Sequence, residues 1–267
     1  MAEISATLVK ELRERTGAGM MNCKRALQDT NGDIDAAIVL LREKGMAGAA
    51  KRAGRETTEG LVGYRLADDG SKGTMVAVGC ETEPVSKNEE FQAFAKKVLD
   101  TVDAGGVDAT SELETERTEL AAKLGENITV AGAARFEAVE GAIVAAYAHP
   151  PANKLGVLLQ VRGGDAGLGR KVAMHIAAAK PQWIDREAVP ADAIAAEREI
   201  FANSDEVQSK PEQAREKIVE GMLGKRFFGA NVLVDQEWIH DSGKTVGQVL
   251  KEAGADVLEY QRFSLAG

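Results

Sequence analysis

KELRERTGAGMMNCKRAL, residues Lys10 to Leu27, runs a charged helical turn into a Thr-Gly-Ala-Gly break and reopens with a methionine pair at the head of a basic helix. Leu8, Val9 and Leu12 share one face at helical spacing, and Met20, Cys23 and Leu27 share another. Gly17 can take the left-handed geometry that ends a helix, and Gly19 lets the next begin without a steric penalty. Further on, Asn31-Gly32-Asp33 predicts a turn with Asp33 as N-cap, and Ile34, Ile38 and Leu41 mark a third amphipathic helix. Gly45 reads as its natural stop. Three helices in such a short span make a small bundle with a thin core, because domains of this size bury little apolar surface. A lone helical methionine is most often core. Two adjacent ones cannot both face a single core, so one of Met20 and Met21 is expected outward as an adaptable contact.

Outward from this stretch, 267 residues predict one large domain or two to three small ones. Hydrophobic content of 44% beside 28% charged residues is that of a soluble globular chain, and with aromatics at 4% its cores must be built from Ala, Val, Leu and Ile. No apolar run approaches the roughly 18 residues needed to cross a bilayer. The N-terminal MAEISATLVKEL carries acids and lacks the apolar run of a signal peptide. Cys23 and Cys80 stand far apart outside any metal or disulfide spacing, so a reducing cytoplasm is the simplest location and no cofactor is expected. The net charge of −9 argues against direct nucleic-acid binding. Residues 1–55 hold ten Lys and Arg against seven Asp and Glu, so a mildly basic head sits on an acidic body. That asymmetry suits orientation on a protein partner, and it also fits an ordinary solvated surface.

Residues 47–60, AGAAKRAGRETTEG, are small, basic and glycine-bearing. They read as a linker, with 53–60 separating a bundle over 1–52 from the rest of the chain. By composition Lys51 and Arg52 are solubilising charges first and partner contacts second. The middle of the chain then repeats one unit twice. Glu59-Gly60 precedes a strand over 61–66, a turn at Asp68-Asp69-Gly70-Ser71, a strand over 74–80 and a helix starting near Asn88, with Phe91, Phe94, Ala95, Val98 and Val102 on one face. Glu140-Gly141 precedes a strand over 142–148, a turn from His149 to Asn153, a strand over 155–161 and a helix carrying Leu168, Val172, Ile176 and Ala179. The spacing between copies drifts only slightly, as loops in duplicated domains do. Strand–turn–strand–helix units define an α+β class. The expected subdomains are 61–139 and 140–267.

Residues 187–228 interrupt the second copy. Two helical segments over 191–203 and 211–226 carry only a sparse seam of Ile194, Phe201, Ala214, Ile218 and Met222, which fits an antiparallel helical hairpin. The hairpin 187–228 is a candidate surface for self-association. The chain returns to the core with Val232-Leu233-Val234, a helix over 245–252 and a last strand over 256–263.

Catalytic constellations are weak. His149, His175 and His240 are scattered, and neither His-Glu-x-x-His nor Gly-x-Ser-x-Gly occurs. Gly243-Lys244-Thr245 copies the end of a phosphate-binding loop, but Trp238 stands where its first glycine is required, so a helix cap at Ser242 or Thr245 is the better reading. The informative segment is Cys80 to Phe91, CETEPVSKNEEF, which links strand to helix. Taken alone it is a capped turn, with Asn88 as N-cap and Glu89 and Glu90 at the positive end of the helix dipole.

The first 52 residues closely resemble the amino-terminal module of the elongation factor Ts family, the bacterial guanine-nucleotide exchange factors for elongation factor Tu. The duplicated core and the segment KTVGQVLKEAGADVLEYQRF extend that resemblance over most of the chain. It implies a ubiquitin-associated-like bundle docking on the nucleotide-binding domain of elongation factor Tu, with Leu12, Met20, Met21, Lys24, Lys51 and Arg52 among the contacts. His149 is a secondary contact by the same resemblance, beside a turn-stabilising role. The family's loop equivalent to 82–87 usually reads Thr-Asp-Phe-Val, then a small and a basic residue, and dislodges the partner's magnesium. This chain keeps Thr82, Val85 and Lys87 but carries Glu83 for Asp and Pro84 for Phe. A proline cannot wedge as a phenyl ring does, so rigidity replaces insertion or another residue wedges. Pro84 also biases Glu83 toward extended geometry, which would pre-shape the turn. Longer family members continue into a further helical module beyond the last strand, so contacts made there are expected to be absent or replaced.

Two other classes compete. A ubiquitin-associated-like adaptor on a hydrolase core needs a nucleophile, base or metal cluster within 60–267. An RNA-binding α+β protein needs basic charge and aromatic platforms on its sheets. The sequence supplies neither, so the expectation is a non-catalytic exchange factor of translation elongation, free of membrane and nucleic acid.

Overall fold

Capping residues set the helices at the amino end. Ser5 accepts a hydrogen bond from Leu8 N at 3.2 Å and opens α1 (Ala6–Thr16), and Gly17, at φ 65°, closes it by donating to Arg13 O. The computed structural model describes residues 4–266. After Gly19 comes α2 (Met20–Asp29), and Asp33 starts α3 (Ile34–Arg52) by accepting from Ala36 N at 3.0 Å. Val9, Leu12, Cys23, Ala26, Leu27 and Ala37 form the buried core of these three helices.

The first sheet comes next. A hairpin of β1 (Glu59–Leu66) and β2 (Lys72–Cys80) leads into the single-turn α4 (Glu83–Ser86) and the long α5 (Glu89–Gly105). A 3-10 stretch over Val107–Leu113, α6 (Glu114–Leu124) and β3 (Ile128–Glu137) complete the unit, with strand order β1-β2-β3. The central strand β2 is buried along nearly its whole length, as a strand covered on both faces must be. All five residues expected on the inner face of α5 are buried.

Gly45 does not stop α3, which continues to Arg52 and takes up the first part of the expected linker. The reason is packing. A Cβ at Gly45 would lie 2.8 Å from the Cβ of Ala122 on α6, so the glycine allows two helices to approach closely. Beyond it Ala49 joins the core that β2 and α5 build, and Arg52 donates to Ala121 O at 3.2 Å. This tertiary contact outweighs the loss of roughly 1 kcal/mol that a glycine costs a helix interior.

The second sheet repeats the first. Its strands β4 (Ala142–Ala148) and β5 (Leu155–Arg162) pair antiparallel with Ala145 opposite Leu159, and α7 (Ala166–Ala179) follows. Between α7 and the third strand lie α8 (Ala191–Ala202), α9 (Asp205–Gln208), α10 (Glu212–Met222), a π-helical stretch Leu223–Phe228 and the short α11 (Gly229–Asn231). Phe201, Val207, Val219, Met222 and Leu223 form their own small core, so α8 and α10 make the expected hairpin with a seam thicker than its sequence suggested. A capping box between Thr245 and Gln248 opens α12 (Val246–Ala253), and β6 (Asp256–Ser264) completes the order β4-β5-β6. The fold is α+β. By contacts the chain divides into two units, one up to Gly63 with Val76–Ala133 and from Ser264 on, the other Tyr64–Met75 with Ala134–Phe263.

Candidate functional site

The strand-to-helix connection after β2 is a single helical turn. Thr82 leaves the strand extended, at φ −130° and ψ 151°, and its carbonyl accepts from Ser86 N at 3.2 Å. Glu83 O accepts from Lys87 N at 3.2 Å and from Ser86 Oγ at 2.7 Å. Glu83 is therefore helical and not extended. A proline in a first turn needs no amide partner, and these bonds outweigh its bias on the preceding residue, so the extended residue is Thr82. Asn88 accepts from Glu90 N at 2.9 Å and from Phe91 N at 3.3 Å, as its position before two glutamates predicts.

Glu83 and Pro84 stand exposed at the tip. Val85, which the chain shares with the family's loop, packs half-buried against the core of its own sheet. The Glu83 carboxylate meets Lys87 Nζ at 2.7 Å, and that bond holds the ammonium above its ordinary range.

Behind the tip lies a clamp that sequence reasoning missed. One Glu126 carboxylate oxygen accepts from Glu81 N and Thr82 N, both at 3.0 Å, and the other accepts from the Thr82 hydroxyl. In return the Glu81 carboxylate accepts from Asn127 N at 2.6 Å and from the Arg55 guanidinium at 3.2 Å. The Asn127 backbone bond, against an opposing desolvation and with further help from Arg55, keeps the Glu81 carboxyl below its ordinary range. Buried Asn127 also donates to Arg55 O at 2.8 Å and Ala53 O at 3.3 Å. Glu126 lies some 45 residues from its partners, so no local spacing announces it. The only hint is Gly125, whose left-handed φ of 76° ends α6 just before it.

On the bundle, Met20 is 58% and Met21 66% exposed, so both methionines face outward, not one. They occupy the first turn of α2, where the neighbouring core is closed by Cys23, Ala26 and Leu27. Lys24 is exposed beside them. Leu12 is 0% exposed and cannot touch a partner, since its place at the centre of α1 makes it bundle core. Lys51 is exposed, whereas Arg52 is held half-buried against α6. His149, in the second unit, closes its own turn: its N donates to Leu155 O at 2.8 Å, its O accepts from Asn153 N at 2.9 Å, and its Nδ1 lies 2.7 Å from the Tyr147 hydroxyl. The turn is the role these contacts describe.

Among the described residues no helix is long and apolar enough to cross a membrane, and no His, Cys, Asp or Glu cluster has a metal-binding arrangement. A family model described as Elongation factor TS matches residues 81–267. The chain is 42% identical over 273 residues to the elongation factor Ts of Methylococcus capsulatus, covering 98% of this chain and 92% of that protein. It is 43% identical over 272 residues to that of Thioalkalivibrio sulfidiphilus, with the same coverage. To that of Escherichia coli K12 it is 42% identical over 269 residues, covering 99% and 92%.

Proposed function

The chain belongs to the elongation factor Ts family, translation elongation factors, and from that premise we propose that it is a cytoplasmic guanine-nucleotide exchange factor for elongation factor Tu. The observation that carries the mechanism is the hydrogen-bonded helical turn presenting Glu83 and Pro84 in the loop where this family's pattern stands. Magnesium in a GTPase bridges the nucleotide phosphates and is held partly by P-loop and switch residues. An exchange factor does no chemistry on the nucleotide. It binds the metal-free, nucleotide-free conformer more tightly than the loaded one, and each tenfold loss of GDP affinity needs about 1.4 kcal/mol of differential binding. The exposed Met20–Met21 face with Lys24 suits docking, and Lys51 suits the charged edge of that contact. The tip Thr82–Val85 then acts at the metal site, with Glu83 bringing a carboxylate to its ligand network and Pro84 supplying a stiff edge. Val85 supports the tip from beneath.

The test is release of fluorescent GDP from elongation factor Tu followed by stopped flow. Micromolar protein should accelerate release, and Glu83→Ala with Pro84→Gly should slow it at millimolar magnesium. The wild-type advantage should shrink as chelator removes magnesium. An unchanged release rate with wild-type protein would sink the reading.

A further inference from the structure

We propose that Glu126 is the positioning residue of the exchange turn, a role resting on the reading that the turn acts on a partner's metal site. Its action is indirect. It works through Glu81 and Thr82, the two residues that leave β2 and aim the tip.

Three observations carry the inference. First, Glu126 supplies both oxygens to the turn, accepting two backbone amides and the Thr82 hydroxyl, so Thr82 is fixed at main chain and side chain together. Both amides belong to residues just past the end of β2, and each is satisfied by this carboxylate. Second, the clamp is reciprocal. Glu81 takes the Asn127 amide while Glu126 takes the Glu81 amide, so the end of β2 and the start of β3 cannot slide without breaking both. Third, the same clamp reaches the connection leaving α3, because Asn127 holds the carbonyls of Ala53 and Arg55, and Arg55 returns to Glu81. The base of the tip and the exit of the bundle are thereby tied to one pair of residues. A pre-formed tip needs such support, since displacement of an acting group by about 1 Å can cost a hundredfold in rate.

The test compares full-length wild type, Glu126→Ala and Glu126→Gln. Glutamine keeps an acceptor oxygen for the amides and a group for the Thr82 hydroxyl, so it should behave within about twofold of wild type. Alanine should accelerate hydrogen exchange at the Glu81 and Thr82 amides. It should also lower the maximal GDP-release rate on elongation factor Tu by about tenfold or more, with the half-saturating concentration within about twofold. A merely structural role would instead move melting and half-saturation in Glu126→Ala and leave the maximal rate unchanged. Unchanged amide protection in Glu126→Ala overturns the proposal whatever the release assay gives. Freed amides with an undiminished maximal rate overturn it too. A wild type that releases no GDP would instead sink the exchange reading, and the amide protection would still decide whether Glu126 holds the turn.

Discussion

At the residue scale, His175 is a buried group whose charge state the fold controls. It is fully buried, stacked on Trp238 at 5.3 Å between ring centres, with Nε2 2.9 Å from Gln236 Oε1. Ile239 N donates to Nδ1 at 3.4 Å, so the ring is neutral with its proton on Nε2. Burial pushes its pKa down, the Gln236 bond opposes this, and nearby His240 adds to the depression. Linkage gives the sign. Below the ordinary value near 6.5 the unfolded chain takes up a proton that the folded chain refuses, so stability falls with acid. Above that value the group contributes no pH dependence. Unfolding free energies from urea titrations between pH 7.5 and 5 should decline below about 6.5 with a slope of up to about 1.4 kcal/mol per pH unit from this residue. The decline should flatten in His175→Gln, and an equally steep one there would assign the acid sensitivity elsewhere.

At the element scale, what the sequence made legible was whatever rests on local chemistry. The caps at Asp33, Asn88 and Thr245, the left-handed Gly17, and strands 142–148 and 155–162 all stand within a residue or so of expectation. Elements fixed by tertiary contact were not legible. The helix α6 shows few apolar residues, and β3 is an edge strand with mixed burial, so neither carries a clear period. Without α6, the reading of Gly45 as a stop had no competitor. The site divides the same way: the exposed tip lay in one contiguous segment, whereas its clamp joins residues just past the end of β2 to residues just before β3. The bundle face offers a direct check, because Met20 and Met21 are exposed while Leu12 is core. Met20→Glu with Met21→Glu should weaken binding to elongation factor Tu by about tenfold, as loss of an apolar anchor does, and leave the melting temperature unchanged. Leu12→Ala should do the reverse, costing about 2–5 kcal/mol of stability. Calorimetry and thermal melts on the same samples separate the two, and Met variants that melt early would return those residues to the core.

At the scale of the whole molecule, the duplication runs deeper than strand–turn–strand–helix. Each sheet closes with a third strand after its helix, giving β1-β2-β3 and β4-β5-β6, with the helical hairpin inserted before the last strand of the second copy. The strand-to-helix connections of the two copies have diverged. In the first, Thr82–Ser86 is a pinned helical turn with exposed acid and proline. In the second, Gly163 and Gly164 sit at φ 70° and 72° before Asp165 caps α7, a backbone path that side chains rarely adopt. The first presents Glu83 and Pro84 where the second runs through two glycines, so the exchange reading places the metal-directed action on the first copy. Linkage then gives a closed test. If this chain lowers the GDP affinity of elongation factor Tu by some factor, GDP with magnesium must lower the affinity of elongation factor Tu for this chain by that same factor. Titrating the protein into nucleotide-free and GDP-loaded elongation factor Tu should therefore return the ratio found from GDP titrations with and without the protein. Replacing Glu83 by Ala and Pro84 by Gly should shrink both ratios together, whereas Met20→Glu with Met21→Glu should weaken binding to both forms and leave the ratio nearly intact. A ratio that survives loss of the tip would move the differential contact to another surface of the molecule.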